Sequence, residues 1–390
     1  MLLENKSVAI IGGGPGGLTL AKLLQLKGTA VSVYERDIND TARVQGGPLD
    51  MHENSGLAVL REAGLLEQFS ANYLPGADRM QIMDEGAKVL YSDHDDKPIT
   101  DFGATHFRPE IDRAALRKIL LESLKPGTVS WDRHLLSMER QGTGWLLRFA
   151  NGSSVYADLV IGSDGANSRV RPYLTDLKPV YSGIMMIEGN VYESKIRTPA
   201  VHALLKGGKI MAFGDGQDLL MGQKGGGDLG FYASFKAGVN WHKDNGLNYA
   251  DNGAMLTWFK NTFCTWSNVW HELFENATPP FIPRPITYMP LDKTWVPLPN
   301  LTLLGDAAHV MPPFAGEGAN MAMLDALELT ACLCAEKHVS LLDAISAYEG
   351  LMRKRATAAT QESLVNGALM HSKTALKDML EVFNQHSRKE

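Results

Sequence analysis

The run Val8-Ala9-Ile10-Ile11, followed at once by Gly12-Gly13-Gly14-Pro15-Gly16-Gly17, constrains this chain more than any other feature. It carries Gly-x-Gly-x-x-Gly at Gly12, Gly14 and Gly17, between a short apolar strand and a leucine-rich helix over Leu18–Lys27. Ala30–Tyr34 returns to β-branched composition and ends in Glu35-Arg36. Strand, glycine turn, helix and second strand make the β-α-β unit that binds dinucleotides. Here Gly12 permits the tight turn, Gly14 admits a pyrophosphate close to backbone N–H groups, and Gly17 lets the helix pack on the sheet. Glu35 is placed to accept hydrogen bonds from an adenosine ribose. Taken alone, the unit suits FAD and NAD equally.

Composition removes several other classes of function. Hydrophobic residues make up 44% and charged residues 21% of 390, too apolar for a disordered chain. A formal net charge of −6 argues against a nucleic-acid or polybasic membrane surface. No apolar run approaches the roughly 20 residues of a membrane span. Met1–Lys6 leads almost directly into the first strand and leaves no room for a signal peptide, so a cytoplasmic location is expected. Cys264, Cys332 and Cys334 do not have disulfide-framework or Cys-x-x-Cys spacing, and the histidines form no metal-ligand pattern. No metal site is expected.

Two later segments repeat the strand-to-loop theme. Tyr156–Ile161 runs into Gly162-Ser163-Asp164-Gly165-Ala166-Asn167-Ser168-Arg169-Val170-Arg171, a loop and then a helix. Leu301–Leu304 runs into Gly305-Asp306-Ala307-Ala308-His309, then a loop with Pro312, Pro313, Gly316 and Gly318, then a helix to about Ala335. In this order the three motifs resemble the single-component FAD-dependent aromatic hydroxylases, the family of para-hydroxybenzoate hydroxylase, over most of the chain. The resemblance implies that Asp306 accepts hydrogen bonds from the ribityl hydroxyls of FAD. It implies that Pro313, Gly316, Gly318, Ala319 and Asn320 form a loop and helix start aimed at the flavin ring, where N–H groups favour negative charge. It places Asp164 near the pyrophosphate. Asp164 and Asp306 could both serve as helix caps as well.

A narrower likeness is carried by Val31–Asp37, Ala42-Arg43, Gly46-Gly47-x-Leu49-Asp50-x-His52, Pro109–Arg113, Leu116-Arg117 and the loop Gly305–Gly316. These resemble the tetracycline-inactivating flavin monooxygenases. By that likeness Glu35, Arg36, Asp50, Arg113 and Asp306 contact FAD, and Arg43 lies close to the flavin and serves the nicotinamide cofactor. Arg117 reads as a solvated surface charge, and His309 as structural. The polar substrate contacts of that group, a Gln, an Arg and a His, fall on Glu188, Lys209 and Gly230, and none is retained. Met211, Phe314 and Met370 match apolar lining positions, with core packing an equal reading for each.

The expected architecture is α/β, with a Rossmann-like FAD-binding domain of the para-hydroxybenzoate hydroxylase type over 1–73, 106–178 and 285–335. A substrate domain over 74–105 and 179–284 is expected to hold an antiparallel sheet, with strands at Ile184–Val191, Lys209–Phe213, Leu219–Gln223 and Leu229–Phe235. Under it a helical stretch, Asn252–Phe274, carries Trp258, Phe259, Trp266 and Trp270 into the core. Residues 340–390 are expected to be a helical segment bridging both domains. The expected activity is hydroxylation of an aromatic or enolic small molecule with FAD, NADPH or NADH, and O₂, by a monomer, with a tetracycline-type compound as one substrate. An FAD-dependent dehydrogenase or reductase and a non-catalytic redox-sensing flavoprotein are the alternatives on the same cofactor platform.

Overall fold

A computed structural model describes residues 2–42, 46–96, 99–104, 107–292 and 294–387. Its first layer is a parallel sheet ordered β17 (Leu301–Leu303), β11 (Leu159–Gly162), β1 (Val8–Ile11), β2 (Val31–Tyr34) and β7 (Val129–Ser130). The three central motifs therefore leave three adjacent strands. Every residue of β1, β11 and β17 is buried, as a parallel sheet covered on both faces requires. Helix α1 (Pro15–Leu26) packs on this sheet with proline in its first turn, where a missing N–H costs no bond. A small sheet of β8 (Leu135–Gln141), β9 (Gly144–Phe149) and β10 (Ser154–Ala157) precedes β11, and β3 (Leu49–Asp50) pairs with β6 (Glu110–Ile111).

The second layer is a seven-stranded sheet: β16 (Ile282–Tyr288), β12 (Val180–Val191), β15 (Leu229–Lys236), β14 (Gln217–Gln223), β13 (Lys209–Gly214), β4 (Met80–Asp84) and β5 (Val89–Ser92). It departs from the purely antiparallel expectation at one place. Strand β4 lies parallel to β13, because it arrives from far earlier in the chain rather than through a hairpin. Strand β16 also runs on to Tyr288, so the chain leaves this sheet later than residue 285. Its Pro283 and Pro285 fit an edge strand, which has no outer ladder to satisfy.

Alternation along β12 sends Met185, Ile187 and Val191 to one face of this sheet, where they join Trp258, Phe259, Trp266 and Trp270 in a buried core. The alternate residues Ile184 and Met186 face the other way, toward Phe314. The expected single helical stretch under the sheet is broken. Helix α3 covers Asn252–Thr262, capped by the Asp251 carboxylate, and α4 covers His271–Asn276. Between them Ser267 caps a short 3-10 turn carrying Trp270, an alternative that serine offers the backbone in place of a continuous helix.

The C-terminal part is helix α7 (Leu341–Met370), started by the Ser340 cap, and after a break at His371–Thr374 helix α8 (Ala375–Ser387). At 30 residues α7 is about 45 Å long. Near its start Tyr348 donates to Leu303 O at 2.9 Å, and at its end His371 Nε2 meets Ser234 Oγ at 2.5 Å. It thereby bridges the parallel sheet and the seven-stranded sheet.

Candidate FAD site and substrate cleft

The glycine turn has one open position and two closed ones. Gly12 has φ +108°, and a Cβ there would lie 2.4 Å from Ser163 O. A Cβ on Gly17 would lie 2.1 Å from Gly12 O, so the helix start touches the turn itself. A Cβ on Gly14 would meet nothing within 4 Å. Gly14 therefore leaves the α1 N-terminus, whose first N–H groups have no side-chain cap, facing open space. Glu35 is buried, and its Oε2 and Oε1 accept the Gly13 and Asp37 N–H groups at 2.5 and 3.0 Å. Arg36 is exposed beside it, and Arg43 lies outside the described residues.

Asp164 and Asp306 follow β11 and β17. Asp164 Oδ2 accepts the Arg169 N–H at 2.7 Å, so this carboxylate does cap its own turn, while its buried Oδ1 has no partner among the described residues. The helix expected after it is a single 3-10 turn, Arg171–Tyr173. Asp306 opens the short helix α5 (Asp306–His309). Its side chain is reachable by water yet surrounded by protein, as at the floor of a cleft, and that desolvation raises its carboxyl above the usual range. His309 turns away from the cleft, with Nε2 2.6 Å from the buried Asp325, whose Oδ2 also accepts the Gly305 N–H at 2.8 Å.

The residue that joins these two loops was not singled out in the sequence. Arg171 is 5% exposed, and it donates to Ala307 O at 2.7 Å, to Ala166 O at 2.8 Å and to Asp306 O at 3.0 Å. One guanidinium thus fixes the spacing between the Asp164 and Asp306 loops. Its position in the Asp-Gly segment was visible; its three carbonyl partners were not.

Helix α6 (Gly318–Cys334) begins beside β3. Asn320 Oδ1 accepts the His52 and Gly56 N–H groups at 3.0 and 3.1 Å, and its amide donates to Asp50 O at 2.9 Å. Gly316 has φ +69°, and a Cβ there would lie 3.0 Å from Asp50 Oδ2, whereas a Cβ on Gly318 would meet nothing within 4 Å. Pro313 is exposed and Ala319 half-buried at the same place. Arg113, at the start of α2 (Arg113–Glu122), donates through Nε to Gly47 O at 3.0 Å, and the Gly47 N–H is received by Tyr232 OH at 3.2 Å. Arg117 is 8% exposed and pairs with Asp37 at 2.9 Å, so it is a buried structural charge and not a solvated one.

On the facing sheet Glu188, Tyr232, Leu220 and Met211 lie in one cross-strand row. Glu188, itself 2% exposed, is paired with Arg284, and Lys209 with the buried Glu110. Both polar positions are therefore already engaged by protein groups, and Gly230 packs near Gly47 Cα at the separation of a would-be Cβ of 3.9 Å. Met211 and Phe314 pack, half-exposed, against a cluster that buries Met370 to 2%, which makes Met370 core rather than lining. Phe314 and Pro312 border a cavity of about 510 Å³ together with Ser182–Ile184, Lys236, Ala237 and residues Leu364, Gly367 and Ala368 of α7. Ligand cavities for small molecules have this size.

A parallel sheet with a glycine-rich turn at its centre, two carboxylate loops beside it and a second sheet across a cleft defines a dinucleotide-binding fold with an attached substrate wall. The family model described as FAD binding domain matches residues 5–203 and 299–363. Monooxygenase penA of Penicillium thymicola is 29% identical over 373 aligned residues, spanning 83% of both chains. The 3-amino-4-hydroxybenzoate 2-monooxygenase of Streptomyces cremeus is 27% identical, over 89% of this chain and 83% of its own. The solved tetracycline destructase Tet(51) shares the fold, with a TM-score of 0.71 at 18% identity over 98% of this chain and 94% of its own. The chain belongs to the single-component FAD-dependent aromatic hydroxylase family, FAD-binding monooxygenases and hence oxidoreductases.

The residues fit FAD. The open faces at Gly14, Gly165 and Gly318, the Asp164 Oδ1 left without a partner among the described residues and the cleft-floor carboxylate of Asp306 offer donors and acceptors to a ligand with phosphates and hydroxyls.

Proposed function

We propose that this protein hydroxylates an aromatic or enolic small molecule using NADPH or NADH and O₂, with tetracycline-type compounds as candidate substrates. The observation that carries the reading is the convergence of the glycine turn with the Asp164 and Asp306 loops, the latter two held in register by Arg171, with a cavity bordered by Pro312, Phe314 and the second sheet. In it, the open face at Gly14 and the N-terminus of α1 take the pyrophosphate on a turn shaped by Gly12 and Gly17. Glu35 and Arg36 take the adenosine end, Asp164 the phosphate side and Asp306 the ribityl hydroxyls. Asp50, Arg113, Pro313, Gly316, Gly318, Ala319 and Asn320 surround the ring system, with Arg43 assigned to the nicotinamide cofactor. When bound, FAD supplies hydride acceptance and the activation of O₂. The chain's own residues orient the substrate and exclude water from it.

The reading divides the chain into an FAD-binding body over 1–73, 106–178 and 285–335, less the end of β16, and a substrate body over 74–105 and 179–284. It takes the protein as a cytoplasmic monomer. Glu188 and Lys209 enter as positioning groups for Arg284 and Glu110 rather than as free substrate contacts, while Met211 and Phe314 form the apolar wall. The test follows NADPH and NADH oxidation by the FAD-loaded protein with and without a tetracycline, with products analysed by mass spectrometry. Stimulated oxidation and a product one oxygen heavier support tetracycline as substrate. Unstimulated oxidation yielding only peroxide rejects it and directs the search to other phenolic or enolic compounds.

A further inference from the structure

His52 stands where β3 meets the start of α6. Its Nε2 lies 2.9 Å from Asp50 Oδ2 and its Nδ1 3.1 Å from Glu317 Oε1. A neutral imidazole has one N–H and can donate to one carboxylate only; serving both takes the imidazolium. Burial opposes that charge, but the bonds to Asp50 and Glu317 outweigh it and raise the His52 pKa to about 9. Asp50 answers in kind: burial pushes its carboxyl up, and the His52 bond with the nearby Lys209 pulls it below the usual range. The Asp50 carboxylate also sits against the Gly316 backbone, where a Cβ would be 3.0 Å from Oδ2. The loop before α6 is thus held from one side by the Asn320 amide and from the other by this carboxylate–imidazole–carboxylate chain.

We infer that His52 is the positioning residue of the loop over residues 313–320, tying Asp50 to Glu317 so that the N–H groups at the start of α6 are held in register for FAD. This rests on the assignment of that loop to the flavin, and on nothing about the reductant or substrate. The charged groups around His52 are Asp50 on β3, Glu317 at the start of α6 and Arg108 before β6, which opposes its charge. Behind Asp50 lies Lys209 of β13, paired with Glu110 of β6. Glu110 and Asp50 hold Lys209 above its ordinary value against burial, so His52 is the first cation here to lose its proton as pH rises. Its hold on the loop is complete below about pH 6.5 and is lost as pH rises through about 9.

The test is FAD release from the diluted holoprotein, read as recovered flavin fluorescence from pH 6.5 to 10, for wild type, His52→Gln and Glu317→Gln. Circular dichroism melts check folding. Wild type should hold FAD tightly at pH 7 and lose about tenfold in affinity across pH 9, the change given by one charge-assisted hydrogen bond. His52→Gln should be weakened about tenfold at pH 7 and lack the wild-type step near pH 9. Any ionisation of the flavin itself is common to all three proteins, so the difference between them carries the result. His52→Gln with wild-type affinity, or with the wild-type pH step intact, overturns the inference. If that variant does not fold, Glu317→Gln decides: weaker FAD retention supports the inference, and unchanged retention overturns it. A pH-linked FAD affinity in a protein inert to NAD(P)H would leave this inference standing and remove the proposed function.

Discussion

Replacing Arg171 by methionine keeps most of the side chain's length and removes every donor. In the structure three carbonyls, those of Ala166, Asp306 and Ala307, would lose their partner at a buried site. A hydrogen bond from a charged donor contributes about 1.5–3 kcal/mol, and carbonyls next to an open cleft can recover part of it from water. We therefore expect a loss of about 3–5 kcal/mol. For 390 residues, the unfolding entropy is roughly 0.8 kcal/mol/K, so the melting temperature should fall by roughly 4–6 °C. The same variant should purify with little flavin, because the Asp164 and Asp306 loops are no longer held together. Arg171→Lys should recover part of the stability, since a single ammonium cannot reproduce the planar fork to three acceptors. Melting curves and the flavin-to-protein absorbance ratio give both readings. A Met variant melting within about 1 °C of wild type and fully loaded with FAD would refute the clamp.

Other substitutions separate ligand contacts from scaffold. Gly14→Ala, whose new Cβ meets open space, should melt like wild type and bind FAD poorly, whereas Gly17→Ala, driven into Gly12 O, should lose both stability and flavin. Equal behaviour of the two in melts and flavin titrations would contradict the site. Asp306→Ala should fold normally and weaken FAD by about 10- to 100-fold, the worth of charge-assisted bonds to hydroxyls; a fully flavin-loaded variant would remove its assigned role. Lys209→Ala leaves Glu110 buried without its cation, at a cost of about 3–5 kcal/mol near pH 8. Burial already raises the Glu110 carboxyl against the pull of Lys209, so acid should protonate it and narrow the gap in melting temperature to wild type. A gap that is unchanged or wider at pH 5 would contradict this.

The sequence disclosed what is local and hid what is paired at a distance. The tight turn at Gly12 and the open face of Gly14 follow from strand, glycine and helix in short order. Arg117 was misread because its partner Asp37 is 80 residues away, and an arginine in a helix carries no local sign of burial. Glu188 and Lys209 come to the substrate side through the likeness to the tetracycline-inactivating monooxygenases, and a likeness of local segments does not show Arg284 and Glu110, 96 and 99 residues away, neutralising them. The parallel entry of β4 beside β13 was invisible for the same reason: strand pattern gives period and face, not neighbour. His52 and Glu317 lay within motif segments, but their connection exists only once β3 and α6 are side by side.

The central claim, a reducible FAD in this site that reacts onward with oxygen, is tested most directly by the flavin absorbance itself. NADPH, then NADH, is added without oxygen to the FAD-loaded protein in the presence of a tetracycline or 3-amino-4-hydroxybenzoate, and air is admitted afterward. The account predicts bleaching of the flavin band by one of the two reductants and its return on contact with O₂. A band that neither reductant bleaches with either compound present would contradict the monooxygenase reading and leave a flavin-binding protein of another kind.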